Sequence, residues 1–264
     1  MTETYEVLAL RYATRGAKRQ DHFIADVPDP EGPMPMDYFV WVLRNSERTV
    51  LLDTGFKPDV SARRGRTYVR SPLEALNLAG IDAGDIGDIV LSHMHYDHAG
   101  TVDAFPMARV HVQEDELDFV TSQKNLRTRG AFEVDDVNEM LRALYGGRVK
   151  LYNGSAQPWP GISMHLVGGH TPGSQVVRVH TKRGWVVLAA DASHFYENME
   201  RGIPFRGTYD IDQGIAGFEL MRAMADSPPH VIPGHDPAVV QRYPAPSPEL
   251  QGIAMRLDEA PREG

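Results

Sequence analysis

Four residues able to bind a metal fall between positions 93 and 98 of this chain. They are His93, His95, Asp97 and His98, inside the stretch SHMHYDHAG, Ser92–Gly100. The apolar run DIVL just before it reads as a buried strand, so the cluster sits on a loop at that strand's C-terminal end, where sites are commonly built. His93 and His95 are two apart. In an extended turn they can point the same way and share one metal ion. Asp97 and His98 are adjacent, face elsewhere, and suit a second metal nearby. Imidazole and carboxylate are ligands for Zn²⁺, and also for Fe or Mn. The plain alternative is a polar surface loop. It is hard to reconcile with three of the chain's eleven histidines standing directly behind a buried strand.

A metal centre needs three or four ligands per ion, so others must come from elsewhere in the chain. GGHTPGS places His170 after the strand pattern ISMHLV. LAADASH ends a buried strand with Asp191, and IPGHDP places His235 after HVI. Each is a strand end followed by a tight turn. The remaining histidines read otherwise. His111, His165 and His180 lie within predicted strands as packing or surface residues, and His230 precedes the last strand. His22 lies in a long loop, with a possible substrate contact.

These residues need a rigid frame. YEVLALRY (Tyr5–Tyr12) reads as a first strand, and 13–36 as a long Pro- and Gly-rich loop, functional or disordered. YFVWVLR and TVLLD read as a hairpin of buried strands around NSE. SPLEALNLAG has Ser71 as N-cap, Pro72 in the first turn and Gly80 as a stop, which predicts a helix. DIVLS and RVHVQ are short strands, and EDELDFV and VDDVNEMLRALYGG are helices. VKLYN, GISMHLVGG, SQVVRVHT and GWVVLAAD read as consecutive strands, DQGIAGFELMRAMAD as a helix, HVIPGHD as a strand, and SPELQGIAMRLDEA as a C-terminal helix. Strands in runs, with helices between and after them, predict an α/β chain of packed sheets with helices outside.

Composition narrows the function classes. With 264 residues and no linker or low-complexity block, one domain spanning 1–264 is the expectation. There is no cysteine. Disulfides, thiolate zinc sites and cysteine nucleophiles are excluded, and a reducing, cytoplasmic setting fits. The N-terminus lacks the pattern of a signal peptide, and no apolar run approaches a membrane span. A net charge of −9 argues against a broad nucleic-acid face. The one basic run, Arg63, Arg64, Arg66 and Arg70, reads as a solvated loop.

HMHYDH, then the histidine of GGHTPGS, the aspartate of AADAS and the histidine of PGHD, resembles the metallo-β-lactamase superfamily. LLDTG at Leu51–Gly55 fits the same pattern. Within that superfamily SHMHYDHAG, VQEDE, GHTPGSQ and DASHFYENMERGIPF look like the N-acyl homoserine lactonase branch. The resemblance implies an αβ/βα four-layer sandwich with two divalent metal ions, zinc first, with iron, manganese or cobalt as alternatives. It places His93, His95 and His170 on the first metal and Asp97, His98 and His235 on the second. Asp191 bridges them, and Asp53 supports the ligands from behind. The implied activity is lactone opening, on an N-acyl homoserine lactone, by water activated between the metals. The alternatives on the same fold are another lactone, a thioester as in glyoxalase II, or a lactam. A nuclease, an oxygen-reducing di-iron protein and a non-catalytic metal-binding protein fit less well.

Further roles follow as expectations. Asp97 is the candidate proton shuttle. The branch carries tyrosine right after DAS. Here that position is His194, which can donate a hydrogen bond to substrate. Met34, Met36, Tyr96 and Tyr196 are candidate substrate contacts, with Tyr38 and Phe39 as further wall or core residues. The segment 57–69 is a candidate lid whose arginines would attract an anionic group. VLRNSERTV is a candidate homodimer surface.

Overall fold

The strand Glu6–Arg15 (β1) and the strand Met36–Arg44 (β2) send alternate side chains into two different cores. Leu8, Leu10, Tyr12, Tyr38, Val40 and Val42 face one. Val7, Ala9, Phe39, Trp41 and Leu43 face the other. Strands apolar on both faces must be covered on both, and this layering follows. The computed structural model describes residues 2–262.

In chain order the first sheet continues with Thr49–Leu52 (β3), Thr67–Tyr68 (β4), Asp88–Val90 (β5), Arg109–Gln113 (β6) and Val149–Tyr152 (β7). The second sheet is Ala156–Trp159 (β8), Ile162–Leu166 (β9), Gln175–Thr181 (β10), Gly184–Ala190 (β11) and Val231–Pro233 (β12). The last strand, Ala254–Arg256 (β13), returns to the first sheet. The sheet orders are β13-β1-β2-β3-β5-β6-β7, with β4 on β1, and β12-β11-β10-β9-β8. β3, β5, β6 and β7 are parallel. The helices Pro72–Leu78, Glu114–Thr121 and Val134–Tyr145 place Leu76, Leu117, Phe119 and Met140 in the first core. The helix Ile211–Met224 adds Phe218 and Met221 to the second. Each such side chain contributes roughly 1.5–3 kcal/mol on burial. The order helix, sheet, sheet, helix is the expected αβ/βα sandwich. Among the described residues no helix is long and apolar enough to cross a membrane.

Two expectations are corrected, and of the two readings of the long loop the disordered one falls. The segment read as a C-terminal helix is a short 3-10 turn, Pro248–Leu250, followed by β13. Gly252 takes φ +72, a left-handed value that ends any helix there. Ala254 then faces one core while Met255 and Leu257 face the other, and β1 supplies the ladder. The open edge of β1 outweighs a helical propensity that is local and weak. The segment read as a lid is packed against the body as a wall: the helix Pro58–Arg63 buries Val60 and Ser61, and β4 pairs with β1. The long loop is packed down, with His22 and Phe23 buried and the His22 Nε2 2.7 Å from the Met34 carbonyl oxygen.

Strand ends deliver the site. β1 carries a bulge at Tyr12, between Arg11 and Ala13. Bulges re-aim side chains, and here the Tyr12 hydroxyl donates to the Asp97 carbonyl at 2.9 Å. The turns after β11 and β12 are zipped together by Gly234 N–H to the Ser193 carbonyl, 2.9 Å, and His235 N–H to the His194 carbonyl, 3.0 Å. A Cβ at Gly234 would stand 2.5 Å from the Ala190 carbonyl oxygen, against main chain that cannot swing away. Gly234→Ala is therefore expected to cost about 1–3 kcal/mol of stability and to lower metal content, read by denaturant unfolding and elemental analysis. Wild-type values for both would contradict this reading of the turn.

Candidate metal centre

The sheet ends converge on one carboxylate. Asp191 follows β11, and Ala190 just before it is held at φ 43, an uncommon left-handed value for alanine. Its Oδ1 lies 3.1 Å from the Nε2 of His98 and 2.9 Å from the Nε2 of His235. Its Oδ2 lies 3.1 Å from the Nε2 of His170, 3.1 Å from the Nε2 of His194 and 3.7 Å from the Nε2 of His93. One oxygen thus faces one set of imidazoles and the other oxygen a second set. Asp97 Oδ2 stands 3.8 and 3.7 Å from the Nε2 atoms of His98 and His235, on the first side. His95 is on the second side, with its Nδ1 2.9 Å from the Nε2 of His170. Donor atoms of His93, His95, His170 and Asp191 lie within 4.8 Å of one another. So do those of Asp97, His98 and His235, and those of Asp191, His194 and His235.

The residues fit metal ions on an observation internal to the chain. The Nε2 atoms of His93, His98 and His235, which face Asp191, are buried with no hydrogen-bond partner, as is Asp191 Oδ1. Burying that many polar atoms unpaired costs a few kcal/mol each. Ions between them remove the cost. The far sides of the rings are fixed. Asp53 Oδ2 accepts from His98 Nδ1 at 2.7 Å, and the Asp37 carbonyl accepts from His235 Nδ1 at 2.9 Å. Ser92 Oγ donates to Asp53 Oδ2 and so accepts from His93 Nδ1, at 3.1 Å. Acceptors behind the rings put the proton on Nδ1 and aim the Nε2 lone pair at the centre. Asp53 is itself held at φ 61, where its carboxylate also takes the Ser92 N–H at 2.7 Å.

Charge at the centre is set by burial against Asp191. Burial, helped by neighbouring imidazoles, holds His93 and His95 well below the usual histidine range. Burial also opposes charge on His98 and His235, but Asp191 together with Asp97, and with Asp53 for His98, outweighs it and pushes both up. Asp191 is held well below the carboxylate range: burial opposes its ionisation, and His194, His98 and His235 overcome it. The field around Asp191 calls for positive charge on both of its sides.

Beside the centre lies a cavity of about 370 Å³. Its walls include Met36, Tyr96, Asp97 and His194 among the expected residues. His194 stacks on Phe205 with centroids 3.6 Å apart, and burial lowers its pKa to about 3. Met34 and Tyr196 are corrections, for neither lines this cavity. The main chain of Met34 is taken up by His22, and Tyr196 lies under Arg242 at a separate pocket of about 170 Å³. Phe39 is core, as expected, while Tyr38 lines the cavity. Arg64 and Arg66, read as solvated, line it too.

Sequence reasoning missed Glu116. It is fully buried, and its carboxylate accepts from the Met94 N–H at 2.8 Å, the Gly173 N–H at 3.2 Å and the Thr171 hydroxyl. It clamps the His93–His98 loop to the His170 turn. The available signal was its inward position in the first turn of a helix that exposes Glu114 and Asp115. Gln175 makes a second tie, through its N–H to the Ser92 carbonyl at 2.9 Å and its Nε2 to the Leu91 carbonyl at 2.7 Å.

Removing bound metal should destabilise the chain, since the unpaired lone pairs return. With free metal at 100–1,000 times Kd the expected loss on chelation is a Tm drop of roughly 5–15 °C, read by thermal unfolding before and after dialysis against a chelator. An unchanged Tm in protein shown to have contained metal would contradict the fit.

Comparison with known proteins agrees with this geometry. The family model of the metallo-beta-lactamase superfamily matches residues 34–235. An N-acyl homoserine lactonase of Bacillus sp. is 28% identical over 219 residues, 76% of this chain and 82% of that protein. A quorum-quenching N-acyl homoserine lactone lactonase of known structure superposes with a TM-score of 0.76 at 22% identity, covering 90% of this chain and 95% of that one. A probable metal-dependent hydrolase from Staphylococcus aureus superposes with a TM-score of 0.76 at 17% identity, over 100% of this chain and 97% of that one. At these identities the structural likenesses establish the fold, and the family match covers every residue of the candidate centre: the chain belongs to the metallo-β-lactamase superfamily.

Proposed function

We propose that the chain is a dinuclear metal hydrolase that opens a lactone ring, with N-acyl homoserine lactone as the reference substrate. The observation that carries the reading is the division of five imidazoles between the two oxygens of Asp191. The likeness to the Bacillus lactonase supports the substrate class. His93, His95 and His170 would hold one ion, and Asp97, His98 and His235 the other, with Asp191 between them. A nitrogen and carboxylate set suits zinc, with iron, manganese or cobalt as alternatives. The two closely packed cores support a single domain over 1–264, and the absence of cysteine supports a cytoplasmic setting.

Metal held by these residues would supply hydroxide at neutral pH and would polarise the ester carbonyl. The chain supplies the rest. Asp97 faces the cavity with its main chain pinned by Tyr12, so its carboxylate can take a proton and return it to the departing alkoxide. Asp53 and Ser92 keep two imidazoles in the binding tautomer. His194, neutral at pH 7, donates from Nε2 to Asp191 Oδ2. It acts by fixing that carboxylate.

The test is acid release from a panel of acyl homoserine lactones and simple lactones, with a thioester and a β-lactam as controls, on protein of known metal content. Turnover of lactones in preference to both controls is expected. Turnover of the thioester or the lactam alone would move the substrate and overturn the lactonase reading. His194→Ala should lower kcat/KM by about 10- to 100-fold while the metal content stays at the wild-type value. A fall in metal content would instead make His194 a ligand, in the Asp191–His194–His235 grouping.

A further inference from the structure

Two arginines face the cavity with no anion to meet them. β4 pairs with β1 in an antiparallel register that sets Ala13 opposite Tyr68 and Thr14 opposite Thr67. Arg15 and Arg66 are the residues directly beyond the Thr14–Thr67 pair, at the same end of this short ladder. Both residues line the cavity that also opens on His95, Asp97 and Asp191. Both are half-buried. Among the described residues, the ion pairs of this wall go to Arg63 and Arg64, which share Glu133. None joins Arg15 or Arg66 to a carboxylate.

The arginines differ in what they already hold. Arg64 is spent on the scaffold: it pairs with Glu133, donates to the Gly130 carbonyl at 2.8 Å and lies over the Tyr96 ring at 4.0 Å. Arg66 is half committed. Its Nε donates to the Tyr96 hydroxyl at 3.0 Å and its Nη1 to the Arg64 carbonyl at 2.7 Å, which fixes the guanidinium plane and leaves Nη2 open. The Tyr96 hydroxyl is 3.3 Å from that of Tyr38, whose ring packs against His235 with centroids 5.1 Å apart. Arg66 is thus held rigidly on a wall that reaches the metal centre. Arg15 makes no side-chain hydrogen bond among the described residues. The two carboxylates in the cavity, Asp97 and Asp191, are turned to the histidines.

We infer that Arg15 and Arg66 form a subsite for an oxyanion group of the substrate, a carboxylate or a phosphate, set apart from the ester that is cleaved. A planar guanidinium recognises either group through paired N–H donors. An anion in the cavity would give both guanidiniums the ionic partner that neither has among the described residues. The preferred substrate is then a lactone or ester with an anionic arm, rather than one with a purely aliphatic chain. The inference rests on the lactone reading above and narrows its substrate class.

The test uses metal-loaded protein and γ-lactones of matched size that carry a carboxylate, a phosphate or a neutral amide on the side arm. Wild type should favour a charged member over the amide by roughly 10- to 100-fold in kcat/KM, and which charged arm wins assigns the anion. Arg15→Gln alone should reduce that ratio, and with Arg66→Gln it should fall to about one. Arg15→Gln breaks no hydrogen bond, so it tests the subsite even if the double variant folds poorly. A wild-type preference for the amide, or a ratio unmoved in Arg15→Gln, overturns the subsite. If no lactone is turned over, the lactonase reading fails. Calorimetric binding of the same compounds then decides the subsite by itself: charge-selective binding lost in Arg15→Gln supports it, and equal affinity for charged and neutral arms overturns it.

Discussion

A carboxylate buried among five imidazoles is tolerable only if positive charge sits beside both of its oxygens. Asp191 is such a carboxylate, and the rest of the site is arranged around that demand. Three of the histidines beside it are locked by acceptors on their outer nitrogens. Asp53, Ser92 and the Asp37 carbonyl do this for His98, His93 and His235. The elements that carry them are fastened to one another by Glu116, Gln175 and the paired turns after β11 and β12. Left-handed main chain at Asp53 and Ala190 is held in place by these contacts. Such strain persists only where the surroundings over-determine it.

The two-sheet frame explains how distant segments meet. Ligands at 93–98, 170, 191 and 235 all follow strands, and the two sheets share a core built from alternate residues of β1, β2 and β3 and from the second sheet. Tyr12 shows the economy of the arrangement. A single bulge turns a core tyrosine so that its hydroxyl fixes the Asp97 main chain.

What the sequence made legible was what local pattern carries. SHMHYDHAG behind an apolar strand, and His170, Asp191 and His235 at strand ends, could be read because each is a short-range signal. The sandwich followed from strand runs with helices between them. What escaped depends on long-range contact. β13 has a helical look, and only the open edge of β1 makes it a strand. Glu116 looks like one more acid of an exposed helix until the two loops it clamps are in place. Arg64 and Arg66 read as a solvated run because nothing local shows that β4 turns them toward the cavity. Tyr196 is one turn from the centre in sequence, yet its helix points it away.

The most direct test of the whole account is metal stoichiometry, by elemental analysis of the protein purified with zinc, for wild type and Asp191→Ala. Two ions per chain in wild type, and fewer than one in the variant while the far-ultraviolet circular dichroism is retained, is the result expected if one carboxylate holds two sites. One ion per chain in wild type, or two in Asp191→Ala, would contradict it.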